Sequence, residues 1–317
     1  MKFTKFTEKF FLCVMVAVVV CSSMCVFSVL PKARVKNVIL FIGDGMGFNH
    51  IQSAKIQSGQ NTLAMEGLDT AAQNRTSSLS VGWPTDSAAG ATAFACGQKV
   101  YNGNVGRMNG NDIKNISEYA IEAHKSVGIV TTDSITGATP AVFSSHVDDR
   151  SMESEIARQQ SNSDIDLLMG AETRGNMTIR EMTAYALDFL VAKQNTGFFL
   201  MVEAGLIDKH SHSGDIASMI AELLELDEAI KYAKEWATAR GDTAIIVTAD
   251  HETGGLEIGE GKPNNTWYTS PDHTAVNVPI FVFRVTLDAN HFISNNTIDN
   301  TAVFILLATC LDLKISA

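Results

Sequence analysis

"VKNVILFIGDGMG", residues 35–47, is an apolar run of Val, Ile, Leu and Phe that stops abruptly at Asp-Gly-x-Gly. A short apolar run closed by glycine reads as a strand, and its lack of polar alternation means that both faces are covered. Similar runs recur at "SVGIVTT" (126–132), "GFFLMVE" (197–203), "TAIIVTA" (243–249) and "VPIFVFRV" (278–285), with a shorter one in "DIDLLMG" (164–170). Amphipathic stretches at 114–125, 178–194 and 214–239 lie between them. Buried strands alternating with helices predict an α/β fold: a mostly parallel central sheet with helices on both faces. Residues 34–317 read as one such domain.

The chain has 317 residues, 45% hydrophobic and 19% charged, enough to bury a sizeable core. Its net charge of −11 argues against a surface that tracks nucleic acid and favours small diffusible substrates. Residues 1–33 differ from the rest: Lys2, Lys5 and Lys9 precede an apolar stretch from Phe10 to Leu30. This pattern predicts export, through either a cleaved signal peptide or a retained N-terminal anchor, the one membrane contact expected. Cys13, Cys21 and Cys25 fall in that segment, leaving Cys96 and Cys310 for at most one disulfide. Asn74, Asn115, Asn176, Asn264 and Asn295 each open an N-x-S/T sequon. The run "TAVFILLATCLDL" near the end reads as a closing amphipathic helix.

In open α/β sheets ligands gather at the carboxyl ends of the strands. Here those ends carry Asp44, then "TTDSITGATPAVFSSHVDDR", then Glu203 with "IDKHSH", then Asp250 and His251. Asp208 and His212, four apart, share one helix face and can share an ion, though an isolated pair is more often a solvated face. Carboxylate with imidazole suits zinc, whereas the oxygen set of Asp44, Thr139 and Glu203 suits magnesium. Ser87, in "WPTDSAAGATAFACG" (83–97), either caps its helix or is a nucleophile held at the helix N-terminus.

Six segments, "IGDGMG", "TDSAAGATA", "GATPAVFSSHVDDR", "VEAGLIDKHSH", "TADHETGG" and "HTAVNVPIF", together resemble the alkaline phosphatases in content and order. The resemblance implies that Ser87 accepts the phosphoryl group. It implies a first zinc on Asp208, His212 and His273, and a second on Asp44, Asp250 and His251, completed by Ser87. It implies one magnesium ion on Asp44, Thr139 and Glu203. Arg150 is then the guanidinium that clamps the phosphoryl oxygens, and Lys209 reaches phosphate through water; the bland alternatives are an Arg150 paired with Asp148 or Asp149 and an exposed helix lysine. The implied activity is hydrolysis of small phosphate monoesters at alkaline pH through a phosphoserine. A phosphodiesterase or sulfatase of the same superfamily, or a metal- and phosphate-binding protein without turnover, are the alternatives.

Some features depart from the family pattern. Gly137 stands where members commonly carry Asp or His beside magnesium, so that support is expected to be lost. The intervals from Arg150 to Glu203 and from His251 to His273 are short, which predicts a more open site and leaves a homodimer unassured. His50, His124, His146, His210 and His291 receive no role; His146 reads as structural and His210 as lying off the face of Asp208 and His212. Trp267 and Tyr268 either line the entrance or pack their loop.

Overall fold

All seven residues of β1 (Asn37–Gly43) are buried, as an uninterrupted apolar run requires of a central strand. The computed structural model describes residues 34–193, 196–259, 266–286, 293 and 296–315, so the export segment and the sequons at Asn264 and Asn295 lie outside the described residues. Along the chain come β2 (Thr70–Arg75), β3 (Arg107–Met108), β4 (Asn111–Asp112), β5 (Ser126–Thr131), β6 (Leu167–Met169) and β7 (Phe198–Ala204). Then follow β8 (Thr243–Thr248), β9 (Glu252–Thr253), β10 (Leu256–Ile258), β11 (Thr266–Tyr268), β12 (His273–Thr274), β13 (Val278–Phe283) and β14 (Thr297–Asp299). The helices are α1 (Phe48–Ser58), α2 (Ser87–Cys96), α3 (Ile116–Glu122), α4 (Ala138–Val142), α5 (Glu153–Ser161), α6 (Ile179–Ala192), α7 (Leu206–His212), α8 (Ile216–Arg240) and α9 (Thr301–Leu311).

Eight strands form one sheet in the order β14-β2-β13-β8-β1-β7-β5-β6. It is mostly parallel, as expected, and β13 alone runs against its neighbours β2 and β8. That reversal matters: the beginning of β13, just after His273, lies where the other strands end. The register keeps those ends level, with Glu203 beside both Ile42 and Thr131, and Thr248 beside both Ile42 and Ile280. Two edge elements, β2 and β14, were not foreseen; "TAAQNR" and "TID" contain no apolar run to announce them.

Alternate residues of β1 feed two cores, one on each face of the sheet. Val38, Leu40 and Ile42 pack with α2, α3, α4 and α9, while Ile39 and Phe41 pack with α1, α6 and α8. The closing helix α9 is more deeply buried than an amphipathic reading implies, with Val303, Phe304, Leu306, Leu307 and Leu311 in the core. Cys96 and Cys310 are both free and buried, so the optional disulfide is not formed. Asn74 is buried and donates to Thr248 Oγ1 at 3.2 Å, and Asn115 caps α3, so neither sequon is accessible in the folded chain. Asn176 is exposed.

The small side chains of α2 now have a cause. All ten of its residues are buried, and a Cβ on Gly90 would stand 3.0 Å from both Cβ and the backbone oxygen of Asp250. The helix can press Ser87 against the end of β8 only because nothing projects at Gly90. Gly90→Val is therefore expected to overpack this contact and to destabilise the protein by about 1–3 kcal/mol. Urea denaturation measures this; an unchanged midpoint would show that the two elements have slack between them.

Candidate active site

The site starts with a division of labour between neighbours. Asp86 is the N-cap of α2, and its Oδ1 accepts the Ala89 amide at 3.0 Å. Capping is thus done by Asp86, and the Ser87 hydroxyl is left to meet His251 Nε2 at 3.2 Å, with Ser87 only 3% exposed. The other oxygen of Asp86 accepts from the Gly103 amide at 2.9 Å and from Arg150 Nη1 at 3.2 Å. Arg150 is consequently paired with neither Asp148 nor Asp149. One carboxylate fixes both the start of the serine helix and the guanidinium that faces it, a role the sequence does not disclose.

Two groups of ligand-type side chains converge beside Ser87. In the first, His212 Nε2 lies 3.0 Å from His273 Nε2, and the two rings approach Asp208 Oδ1 to 3.3 and 3.5 Å. Each ring's Nδ1 faces a backbone carbonyl, Pro271 at 2.6 Å for His212 and Thr85 at 2.9 Å for His273. A carbonyl can only accept, so Nδ1 carries the proton, and in the neutral rings both Nε2 atoms present lone pairs. Two lone pairs and a carboxylate oxygen pointing at one another repel unless a cation lies among them.

The second group obeys the same logic. His251 Nε2 is 3.3 Å from both Asp44 Oδ1 and Asp250 Oδ2. Thr253 Oγ1 donates its one proton to Asp208 Oδ1 at 2.5 Å, so at 3.2 Å it accepts from His251 Nδ1. His251 Nε2 is thereby also a bare lone pair. Burial, then the nearby His273 and Arg150, push its pKa well below the ordinary imidazole value. Thr253 joins the two groups, whose His251 and His273 rings stack with centroids 3.6 Å apart.

The oxygen set lies alongside. Asp44 Oδ1, Asp250 Oδ2 and Thr139 Oγ1 are buried without a hydrogen-bond partner, which is costly unless an ion or water completes them. Glu203 accepts from the Thr131 hydroxyl. Burial pushes Glu203 up to about 7 and Asp250 up to about 8, the charge of Asp208 adding to the latter; burial and Asp250 raise Asp44 strongly. So many buried carboxylates stay ionised together only if cations neutralise them. The donor set, imidazole with carboxylate in two groups and hydroxyl with carboxylates in a third, therefore fits divalent metals. A cavity of about 190 Å³ brings Asp44, Ser87, Thr139, Arg150, Glu203 and Lys209 to one opening. Lys209 is more than half exposed and pairs with Asp133, a residue given no role by the sequence reading.

A family model described as "Alkaline phosphatase" matches residues 35–172 and 162–304, nearly everything after the N-terminal segment. The chain belongs to the alkaline phosphatase family. It is 29% identical to "Alkaline phosphatase 4" of Bacillus subtilis, across 80% of this chain and 69% of that protein. It is 31% identical to the "Repressible alkaline phosphatase" of Saccharomyces cerevisiae, across 81% and 62% respectively. Among solved structures, the alkaline phosphatase of the Antarctic bacterium TAB5 is similar at a TM-score of 0.79 and 28% identity, over 90% of this chain and all of that one. This is a family of metal-dependent enzymes acting on phosphate monoesters.

Residues without a ligand role support the site. His50 is fully buried, accepts the Gly47 amide on Nδ1 at 3.2 Å, and so donates through Nε2 to Ser211 Oγ at 3.2 Å; burial lowers its pKa to about 3. Tyr268 also donates to Ser211 at 3.0 Å, which anchors α7 and places this aromatic in packing rather than at the entrance. Trp267 remains partly exposed on the β10–β11 ribbon. His291 lies outside the described residues.

His146 is structural, as expected: Nδ1 meets Gly106 O at 2.8 Å and Nε2 meets Glu118 Oε2 at 3.2 Å. Burial opposes its charge, but Glu118, the Gly106 carbonyl and Asp112 outweigh burial and raise its pKa. A raised pKa in the folded state stabilises fully below the unfolded value near 6.5 and fades as pH climbs through the folded value. Glu118, flanked by Lys114 and the Asn115 amide, stays ionised throughout that window. The stability gap between the native protein and His146→Asn, ~1 kcal/mol in scale for one ion pair, should therefore narrow from pH 6 to pH 9. Thermal melts across that range test it; a constant gap would mean that the ring never carries charge.

Proposed function

We propose that the chain hydrolyses small phosphate monoesters through a phosphoserine on Ser87. The observation that carries this reading is the Asp86 arrangement: the serine hydroxyl is released from capping while Arg150 is held over the same helix end. Asp208, His212 and His273 would hold one zinc, and Asp44, Asp250 and His251, with Ser87, the other. Asp44, Thr139 and Glu203 would hold magnesium; a variant of the TAB5 enzyme has Mg bound in a site called M3. Bound there, such cations lower the pKa of a hydroxyl or water and neutralise charge on the departing oxygen.

The chain's own residues do the rest. Ser87 gives up its hydroxyl proton and its Oγ attacks phosphorus. A P–O bond to serine forms, the ester P–O bond breaks opposite to it, and the departing oxygen takes up a proton from solvent to leave as the alcohol. His251 Nε2, 3.2 Å from the Ser87 hydroxyl, would bring its lone pair to the same cation as the serine oxygen and in that way fix the serine's orientation. Arg150 spans two phosphoryl oxygens with its planar fork, a clamp suited to a monoester, whose three free oxygens leave two for it. The amides at the start of α2 and that helix's dipole favour the transferred negative charge. Water then displaces serine from phosphorus, and inorganic phosphate leaves. Residues 1–33, with their basic start and apolar stretch, support export of the enzyme; among the described residues no helix is long and apolar enough to cross a membrane.

The test compares p-nitrophenyl phosphate with its bis ester, at neutral and alkaline pH, with zinc and magnesium or with EDTA. Monoester turnover that EDTA abolishes is expected, with the higher rate at alkaline pH. Ser87→Ala should lower kcat on the order of 10⁴-fold, because the covalent route disappears. Arg150→Ala should cost roughly 10²-fold, the loss of one charge-stabilising donor group. Preference for the bis ester would favour a phosphodiesterase. Absence of turnover in metal-loaded protein would leave a binding protein.

A further inference from the structure

Gly137 removes a side chain from the wall beside the oxygen set, and the structure shows what occupies that ground. Asp133 follows β5, and its carboxylate pairs with Lys209. Its Oδ2 lies 3.6 Å from where a Cβ on Gly137 would stand. Its amide donates to Thr131 Oγ1 at 3.0 Å, and that hydroxyl in turn donates to Glu203. Its carbonyl accepts the Ala171 amide at 2.8 Å. Opposite, a Cβ on Gly205 would come within 2.8 Å of Asp133 Cβ, so a glycine there gives the aspartate its room. Asp133, Thr139, Glu203, Lys209, Arg150 and Ser87 all line one cavity.

We propose that Asp133 is the positioning residue of this pocket, supplying from the strand end the carboxylate that Gly137 cannot. It does two things, both resting on the phosphatase reading above. It tethers the Lys209 ammonium, so that this charge meets phosphate at a distance and product is not held too tightly. Its second oxygen lies toward Gly137, two residues before Thr139, in the cavity that Thr139 and Glu203 also line, and there it would accept hydrogen bonds from water around a magnesium ion. A glycine at 137 is then no deficit: a Cβ there would press on the Ser134 backbone oxygen at 2.9 Å, and the backbone would have to shift to admit it.

The two roles give opposite signs, which no general loss of structure would produce. In zinc-loaded protein, Asp133→Asn should weaken magnesium binding by about tenfold or more in isothermal titration, with zinc content unchanged. The same variant should bind inorganic phosphate several-fold more tightly, because Lys209 is freed to reach it. In Asp133→Asn/Lys209→Gln the gain in phosphate affinity should vanish while the magnesium defect persists. Melting temperature and circular dichroism confirm folding of each variant, and the exposed Lys209→Gln alone probes the pair from the other side. Native protein that binds both ligands, with an Asp133→Asn that matches it, would overturn the role of Asp133 alone. Parallel weakening of both ligands would reduce Asp133 to structural support. Native protein that binds neither ligand would sink the phosphatase reading, and this proposal with it.

Discussion

Asp44, Glu203 and Asp208 line one pocket and Asp250 stands beside Asp44, Asp250 wholly shielded from water and Asp44 and Glu203 nearly so. Arg150 is the guanidinium set against them, and it cannot balance four carboxylates in a medium of low dielectric. The surrounding architecture is organised to hold this unfavourable group in place until cations neutralise it. Level strand ends deliver the acids to one plane. Gly45, at φ +72°, lets Thr253 and Asp208 approach where a Cβ would fall 2.7 Å from the threonine hydroxyl. The large cores on both faces of the sheet provide the stability that such a site consumes.

Much of this was legible in the sequence, because the parallel strands are buried on both faces and write themselves as apolar runs. The metal-type ligands were legible for a related reason: they follow those runs directly, at the strand ends where α/β sheets gather their chemistry. What the sequence does not display depends on long-range geometry. β13 reads like any other buried strand, and nothing in "VPIFVFRV" says that it runs backwards; yet that reversal brings His273 to the site from in front of a strand. β2 and β14 pair at the edge through backbone bonds, which leave no hydrophobic signature. Asp86, Asp133 and Thr253 were invisible as functional residues because an aspartate before a helix, an aspartate in a loop and a threonine in a short ribbon are ordinary in sequence. Only their partners, far away along the chain, distinguish them.

The histidines show how little freedom the site leaves. A neutral imidazole has one proton and two places for it, and hydrogen-bond partners decide which. For His212 and His273 the partners are carbonyls contributed by loops, Pro271 and Thr85. For His251 the partner is a threonine already committed to Asp208. Three separate local arrangements thus reach one electronic result, three Nε2 lone pairs directed at carboxylates. A cluster evolved for hydrogen bonding alone would alternate donors with acceptors; this one collects acceptors.

The same reasoning explains why the site tolerates a short chain. Short intervals between Arg150 and Glu203 and between His251 and His273 remove material around the pocket, yet the likeness to the TAB5 enzyme still extends over 90% of this chain and all of that one. What must be conserved physically is the frame: the sheet register, the α2 helix pressed on β8, and the carboxylate that ties the start of the Ser87 helix to the Arg150 guanidinium. Asp86 fulfils that last requirement within a single side chain, one oxygen for the helix and one for the guanidinium. A displacement of α2 therefore moves Ser87 and Arg150 together. In the proposed reaction, attack and clamping would stay in register because both are referred to the two oxygens of one carboxylate.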